Sequence, residues 1–187
     1  MARKESGKRG LLVETAAELV YRRGFGDTAL ADIAREADVP LGNIYYYFKT
    51  KKEIGEAIIA KRTTQVRGMC EAWDMLDSPK KRLYALVDLT IGNSRNLAQS
   101  GCPVGSLCSE VQKGDAPLGK EAAQPLAVLL RWIETQFAAL GKNRQKKILS
   151  LHLLAALQGI SLLAHGFEDA DLVVLEGDHL KRWIAEL

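Results

Sequence analysis

The chain has 187 residues, 47% of them hydrophobic and 26% charged, with a net charge of +3. That length buries a proper core, and the balance is that of a globular protein rather than a disordered or fibrous chain. The start, MARKESGKRG, is basic and polar without the apolar centre of a signal peptide, and His152, Gln158 and His165 interrupt the longest apolar runs; a cytoplasmic chain with no membrane-spanning helix is expected.

No stretch alternates with period two between turn residues, so every element reads as helix. The first predicted helix spans 7–23, with Leu12, Ala16, Leu19 and Val20 on one face. Gly24-Phe25-Gly26 stops it, because glycine is at ease in the left-handed conformation that ends helices. Thr28 suits the N-cap of a second helix, whose Leu30, Ile33, Ala34 and Ala37 recur at three- and four-residue steps. Asp38-Val39-Pro40 breaks it, since the residue before a proline is pushed out of helical geometry. The third helix, 41–48, buries Ile44 and Phe48. Consecutive helical residues point about 100° apart, so Tyr45, Tyr46 and Tyr47 do not all face one core. At least one phenol turns outward beside Asn43, Lys49, Lys51 and Lys52. A short second helix with amide, phenol and ammonium groups suits the major groove and its phosphate walls, the arrangement of a helix-turn-helix DNA reader.

Charge is placed to match. Residues 1–62 hold 12 Lys and Arg against 9 Asp and Glu, the whole of the net +3. Arg3, Lys4, Lys8 and Arg9 form a basic arm that either touches phosphates or only solubilises the terminus.

The run ETAAELVYRRGFGDTALADIAREADVPLGNIYYYFKTKKEIGEAI, inside residues 12–58, resembles the N-terminal domain of the TetR/AcrR family of bacterial repressors. The residues that carry the resemblance are A-x-x-L-x-x-x-x-G-F from Ala16, the Thr at 28, and G-x-I-Y-Y-x-F-x-x-K-x-E from Gly42. It implies an all-α chain with an N-terminal three-helix helix-turn-helix head and a six-helix ligand-binding and dimerisation body. It also implies a double-stranded DNA operator, read by Thr28, Leu41, Gly42, Asn43, Tyr45, Tyr46, Tyr47 and Lys51. Thr28, Tyr47 and Lys51 would hold phosphates, and Asn43 and Tyr45 would meet base edges, Asn being able to pair with adenine. Members commonly carry His where this chain has Tyr47; a phenol still donates to a phosphate.

The resemblance makes 1–50 a DNA-binding domain and 51–187 a ligand-binding and dimerisation domain. Helices are predicted over 51–76, 79–99 (capped by Ser78, with Pro79 first), 104–113, 118–140, 144–165 and 169–187. The eighth helix is apolar nearly all round, so one side faces its own domain and the other a partner. Ala155, Ala156 and Gly159 would permit close approach, and the resemblance places a homodimer on helices eight and nine. Two heads on one operator predict a palindrome.

Met69, Trp73, Leu107, Trp132 and His152 are candidates to line a pocket for a lipophilic or aromatic effector, although such side chains are more often simple core. Cys102 precedes a proline at a helix entrance, where a thiol either senses electrophiles or oxidants or packs as a small residue. Cys102 and Cys108 do not form the C-x-x-C of a zinc site, so no metal is expected, and no cofactor either. A Cys/His enzyme built on Cys102 or Cys108 with His152 lacks any local catalytic signature, so the chain reads as a non-enzyme.

Overall fold

The computed structural model describes residues 2–114 and 116–187; Met1 and Asp115, and the side chains of 1–6 and 114–116, lie outside the described residues. Arg3 and Lys4 of the basic arm, and Asp115 of the third predicted break, fall there. Among the described residues every regular element is helical. The head holds α1 (Ala2–Arg23), α2 (Leu30–Glu36) and α3 (Leu41–Tyr47). There follow α4 (Lys51–Asp74), α5 (Pro79–Gly92), α6 (Ser94–Ser100), α7 (Gly105–Gly114), α8 (Ala116–Ala122), α9 (Gln124–Ala139), α10 (Lys146–Phe167) and α11 (Asp171–Glu186).

Two of the predicted helices are each cut into two segments. Asn93 ends α5 by turning its own amide onto the Leu89 carbonyl at 2.8 Å, the local competition that makes Asn a helix stop. Pro125 stands second in α9, where its missing N–H costs nothing; inside one continuous helix over 118–140 it would have removed a bond. Elsewhere the signals act as expected. The Ser78 hydroxyl accepts from Lys81 N–H at 3.3 Å with Pro79 first in α5. Gly24 and Gly141 end their helices at φ +91 and +80.

The chain divides into two compact units, residues 1–64 with 106–125, and residues 65–105 with 126–187. The first extends well past residue 50. Its core joins Leu12, Leu19, Ile33, Ile44 and Phe48 to Ile54 and Ile58 of α4, Leu107 and Val111 of α7, and Leu118 and Ala122 of α8. Three short helices alone bury too little apolar surface, and each aliphatic side chain buried adds roughly 1.5–3 kcal/mol. Gly55 has no Cβ, which lets the Phe25 ring and Leu118 lie against α4.

In the second unit α10 packs on α6 and α11, and α11 packs on α5. Leu83, Val87, Ile133, Phe137, Leu153, Leu180 and Ile184 form its centre. Gly177 is the close point: a Cβ there would run into Ile91 of α5. One expectation needs correcting. By length and composition α10 is apolar enough to cross a membrane, with a window of mean hydropathy 1.6, because three polar residues do not offset its leucines. Here Leu153, Leu154, Leu157 and Ala164 of that helix are buried within the unit.

Candidate nucleic-acid interface

α2 and α3 are each seven residues long, and the turn between them places Asp38 at φ +52, a left-handed conformation that Asp tolerates. Ile33, Ala34, Ile44 and Phe48 anchor both helices to the core. The opposite side of α3 stays uncovered, with Tyr45 45% and Tyr46 66% exposed and Leu41 and Gly42 also exposed. Asn43 is half-buried at the start of the helix, its N–H bonded to the Pro40 carbonyl at 2.8 Å. Tyr47 leans against the core and meets the Tyr46 ring edge-on, centroids 4.9 Å apart.

The cations at the end of α3 are held by backbone carbonyls. Lys49 Nζ donates to the Tyr45 carbonyl at 2.6 Å, capping the helix where its dipole is negative. Lys51 Nζ donates to the Gly26 carbonyl at 2.7 Å and lies 5.0 Å from the centre of the Phe25 ring. An ammonium has three donors, so a phosphate can share it. Arg9, one of the arm residues, sits 5.0 Å over the Phe48 ring.

Thr28 differs from its expected role. The N-cap of α2 is Ala29, and the capping group is Asp32, whose carboxylate takes the Ala29 N–H at 3.0 Å. Thr28 is only 2% exposed and donates its single hydroxyl proton to the Gly24 carbonyl at 2.7 Å. It ties the end of α1 to the start of α2. The Ala29 N–H, and next the Arg35 guanidinium, hold the Asp32 carboxyl below the ordinary carboxylate range. Sequence reasoning missed Asp32 and also Glu110, which accepts the Phe25 N–H at 2.5 Å. The acidic residue three places after Ala29 was a legible capping signal; Glu110 is 85 residues from its partner and had none.

Residues 12–58 match the family model for bacterial regulatory proteins of the tetR family. The head, residues 12–58, is thus similar to the regulatory proteins of that family. An uncharacterized HTH-type transcriptional regulator in the lacX 3′ region of Lactococcus lactis subsp. lactis is 28% identical over 169 residues, 88% of this chain and 86% of that one. The HTH-type transcriptional repressor NemR of Escherichia coli is 33% identical over 57 residues, 30% of this chain and 29% of its own. In fold, a TetR transcriptional regulator from Chloroflexus aurantiacus superposes with a TM-score of 0.84 at 22% identity, covering 98% of this chain and 96% of that one. The reduced form of E. coli NemR gives 0.79 at 20%, covering 94% and 96%. The head thus matches a helix-turn-helix domain of that kind, and its exposed α3 face is the candidate DNA surface.

The effector candidates fall into separate places. Trp73 and Trp132 pair with ring centroids 5.1 Å apart, and Met69 packs in the same core. The Trp132 indole N–H donates to Asp74 at 3.0 Å, leaving both tryptophans as parts of a bonded core end. His152 meets the Trp183 ring edge-on at 4.9 Å, on the exposed side of α10. Leu107 is not brought to these residues: it is buried in the first unit's core, because α7 turns its apolar face there. Cys102 packs beside Leu97, Ala164 and Val173, and its sulfur receives the Gly105 N–H at 3.4 Å. Burial pushes the Cys108 thiol up, and burial followed by the Asp74 charge pushes Cys70 to about 11.

Proposed function

We propose that the chain is a repressor that binds a palindromic operator as a homodimer and is released when a small lipophilic or aromatic effector enters the body. The observation that carries it is the uncovered α3 face, with Tyr45 and Tyr46 exposed beside Lys49 and Lys51 whose ammoniums are held in place. Asn43 and Tyr45 take the base edges, Lys51 and Tyr47 take phosphates, and Leu41, Gly42 and Tyr46 complete the surface. Thr28 acts by holding the turn, its hydroxyl proton being committed to Gly24. The DNA-binding role lies in the domain at 1–50 together with Lys51 at its border, and effector binding and pairing lie within 51–187. A cytoplasmic protein acting by stoichiometric binding, without catalysis, follows from the same reading.

Pairing through α10 and α11 explains a second set of exposed groups. Ile148, Leu151, Ala155, Gly159, Leu162, Leu163 and Phe167 share one stripe of α10, and Val174 and Leu175 follow on α11. An apolar stripe of this length left in water marks an interaction surface, and a two-fold pairing makes it self-complementary. Effector binding near Met69, Trp73 and Trp132 would reach the head along α4, which is one continuous helix from Lys51 to Asp74.

Fluorescence anisotropy on the DNA immediately upstream of the chain's own gene tests this, with wild type and Asn43→Ala/Tyr45→Ala in parallel. Each base contact contributes roughly 1–3 kcal/mol of discrimination, so the double variant is expected to bind at least about 30-fold more weakly with unchanged helicity. Wild type that binds no duplex even at low salt would sink the proposal.

One observation favours a second trigger. The Cys102 sulfur, half-buried at the entrance of α7, already receives the Gly105 N–H, so modifying it disturbs the first turn of that helix. In this reading an electrophile or oxidant releases DNA from wild type and leaves the Cys102→Ser complex intact. Equal release from both removes Cys102 from the mechanism.

A further inference from the structure

The turn that joins α1 to α2 is tied at three successive residues. The Gly24 carbonyl accepts from Thr28, the Phe25 N–H donates to Glu110 of α7, and the Gly26 carbonyl accepts from Lys51. Two of these ties are local to the head. The Glu110 tie comes from a residue 85 positions away, at 2.5 Å. The turn is also shaped to admit that carboxylate. Gly24 has φ +91, and a Cβ there would stand 2.9 Å from Glu110 Oε2, so any other residue would both strain the backbone and press on the acceptor.

Lys51 depends on the same turn twice, through the Gly26 carbonyl and through the Phe25 ring 5.0 Å beneath its ammonium. We propose that Glu110 is a positioning residue for DNA: by fixing the Phe25 peptide it sets the turn on which Lys51 is presented to a phosphate. The proposal rests on the DNA-binding reading of the head. It gives α7 a role beyond filling the core, since a displacement of that helix would withdraw the acceptor and loosen Lys51 without touching α3.

The sign of the effect separates positioning from plain electrostatics. Deleting a carboxylate from a DNA-binding unit removes repulsion, so as a mere charge Glu110→Ala would bind DNA more tightly. As a positioning residue its removal weakens binding and frees one phosphate from its ammonium, which appears in the salt dependence: the slope of log K against log salt becomes shallower by about 0.9 for each phosphate no longer neutralised. A fall in stability alone changes neither quantity in protein that remains folded.

The experiment is anisotropy titration of a labelled duplex of arbitrary sequence over a series of salt concentrations. It uses full-length wild type, Glu110→Ala, Glu110→Gln, Lys51→Ala and the Glu110→Ala/Lys51→Ala pair, each shown folded by circular dichroism at the working temperature. Phosphate binding is independent of sequence, so no operator is needed. Glu110→Ala is expected to bind about tenfold more weakly with a shallower slope, and to add little once Lys51 is gone. Glu110→Gln keeps an acceptor for the Phe25 N–H and is expected to keep the wild-type slope. Tighter or unchanged binding by Glu110→Ala, additive effects in the pair, or a Gln variant as weak as Ala overturns the proposal. Lys51→Ala that leaves the slope unchanged overturns it as well, since no phosphate then depends on Lys51, whereas wild type that binds no duplex means that the DNA reading of the head fails first.

Discussion

The two units expose different chemistry on helices of different length. In the first, the uncovered helix is α3, seven residues long, and it presents phenols, an amide and nearby ammoniums fixed by carbonyls of the same unit. In the second, the uncovered stripe runs along α10, 22 residues long, and it presents leucines, an isoleucine and a phenylalanine interrupted by Ala155 and Gly159. A short helix with fixed polar groups suits a rigid, charged, hydrogen-bonding partner such as a duplex, where geometry decides affinity. A long apolar stripe suits a second copy of itself, where apolar burial and close packing drive association. The difference lies in what holds the exposed groups. Backbone carbonyls orient the head's cations before any partner arrives, whereas the body's exposed aliphatic groups have no packing on their outer side within the chain.

The contrast breaks most visibly by charging the body. Leu162, 71% exposed in the middle of the stripe, is replaced by Arg. Within the single chain an exposed Arg costs no more than about 0.5 kcal/mol, so helicity is expected to match wild type, and Tm to fall only by what pairing contributed. At a self-complementary seam two unpaired guanidiniums are buried together, which costs several kcal/mol. Sedimentation is expected to show monomer, with operator affinity falling at least about 100-fold while binding to random duplex persists. A Leu162→Arg protein that remains dimeric would remove α10 from the pairing surface.

A smaller effect tests the head's turn. Gly24→Ala places a Cβ on a residue at φ +91 and 2.9 Å from the Glu110 carboxylate. The left-handed conformation alone costs an ordinary residue about 1–2 kcal/mol. Denaturation by urea is expected to show at least that loss, whereas Gly159→Ala, with open space around its Cβ, is expected to stabilise the α10 helix by about 1 kcal/mol before pairing is considered. Equal effects at the two glycines would mean that the turn relaxes freely.

Acid sharpens the comparison most gently. The folded Asp32 carboxyl ionises more readily than an unfolded one because the Ala29 N–H and Arg35 favour its anion. Its contribution to the head is therefore present above the ordinary carboxylate pKa of 3.8 and is lost as pH falls through the lower folded value. The Asp32→Asn variant is expected to flatten the loss of α2 amide protection below about pH 4, read by hydrogen exchange. Protection in α10 serves as the internal control, and an unchanged acid profile in α2 would remove Asp32 from its capping role.

The head was legible from residues alone because its signals are local. Gly24, Asp38-Val39-Pro40, the spacing of Ile33, Ala34, Ile44 and Phe48, and the three tyrosines on a seven-residue helix all act within a few positions of themselves. The eight assigned DNA residues lie on or beside α3 and the turn before α2, although Thr28 turns its hydroxyl inward to Gly24. The body was harder because its partners are distant in the chain. Nothing next to Leu107 says that it completes the first unit's core rather than standing with Trp73 and Trp132, and nothing next to Glu110 points to Phe25.

The sequence by itself determined an all-helical chain, most of its helix breaks, and a helix-turn-helix head with a polar outer face, since periodicity, proline, glycine and capping residues act over one or two turns. Only the tertiary structure decided that α7 and α8 join the head's compact unit, that Leu107 lies in that unit's core, and that Glu110 closes the turn beneath Lys51. Those outcomes depend on which surfaces meet after the chain folds back on itself, and a single side chain carries no record of a partner 85 residues away.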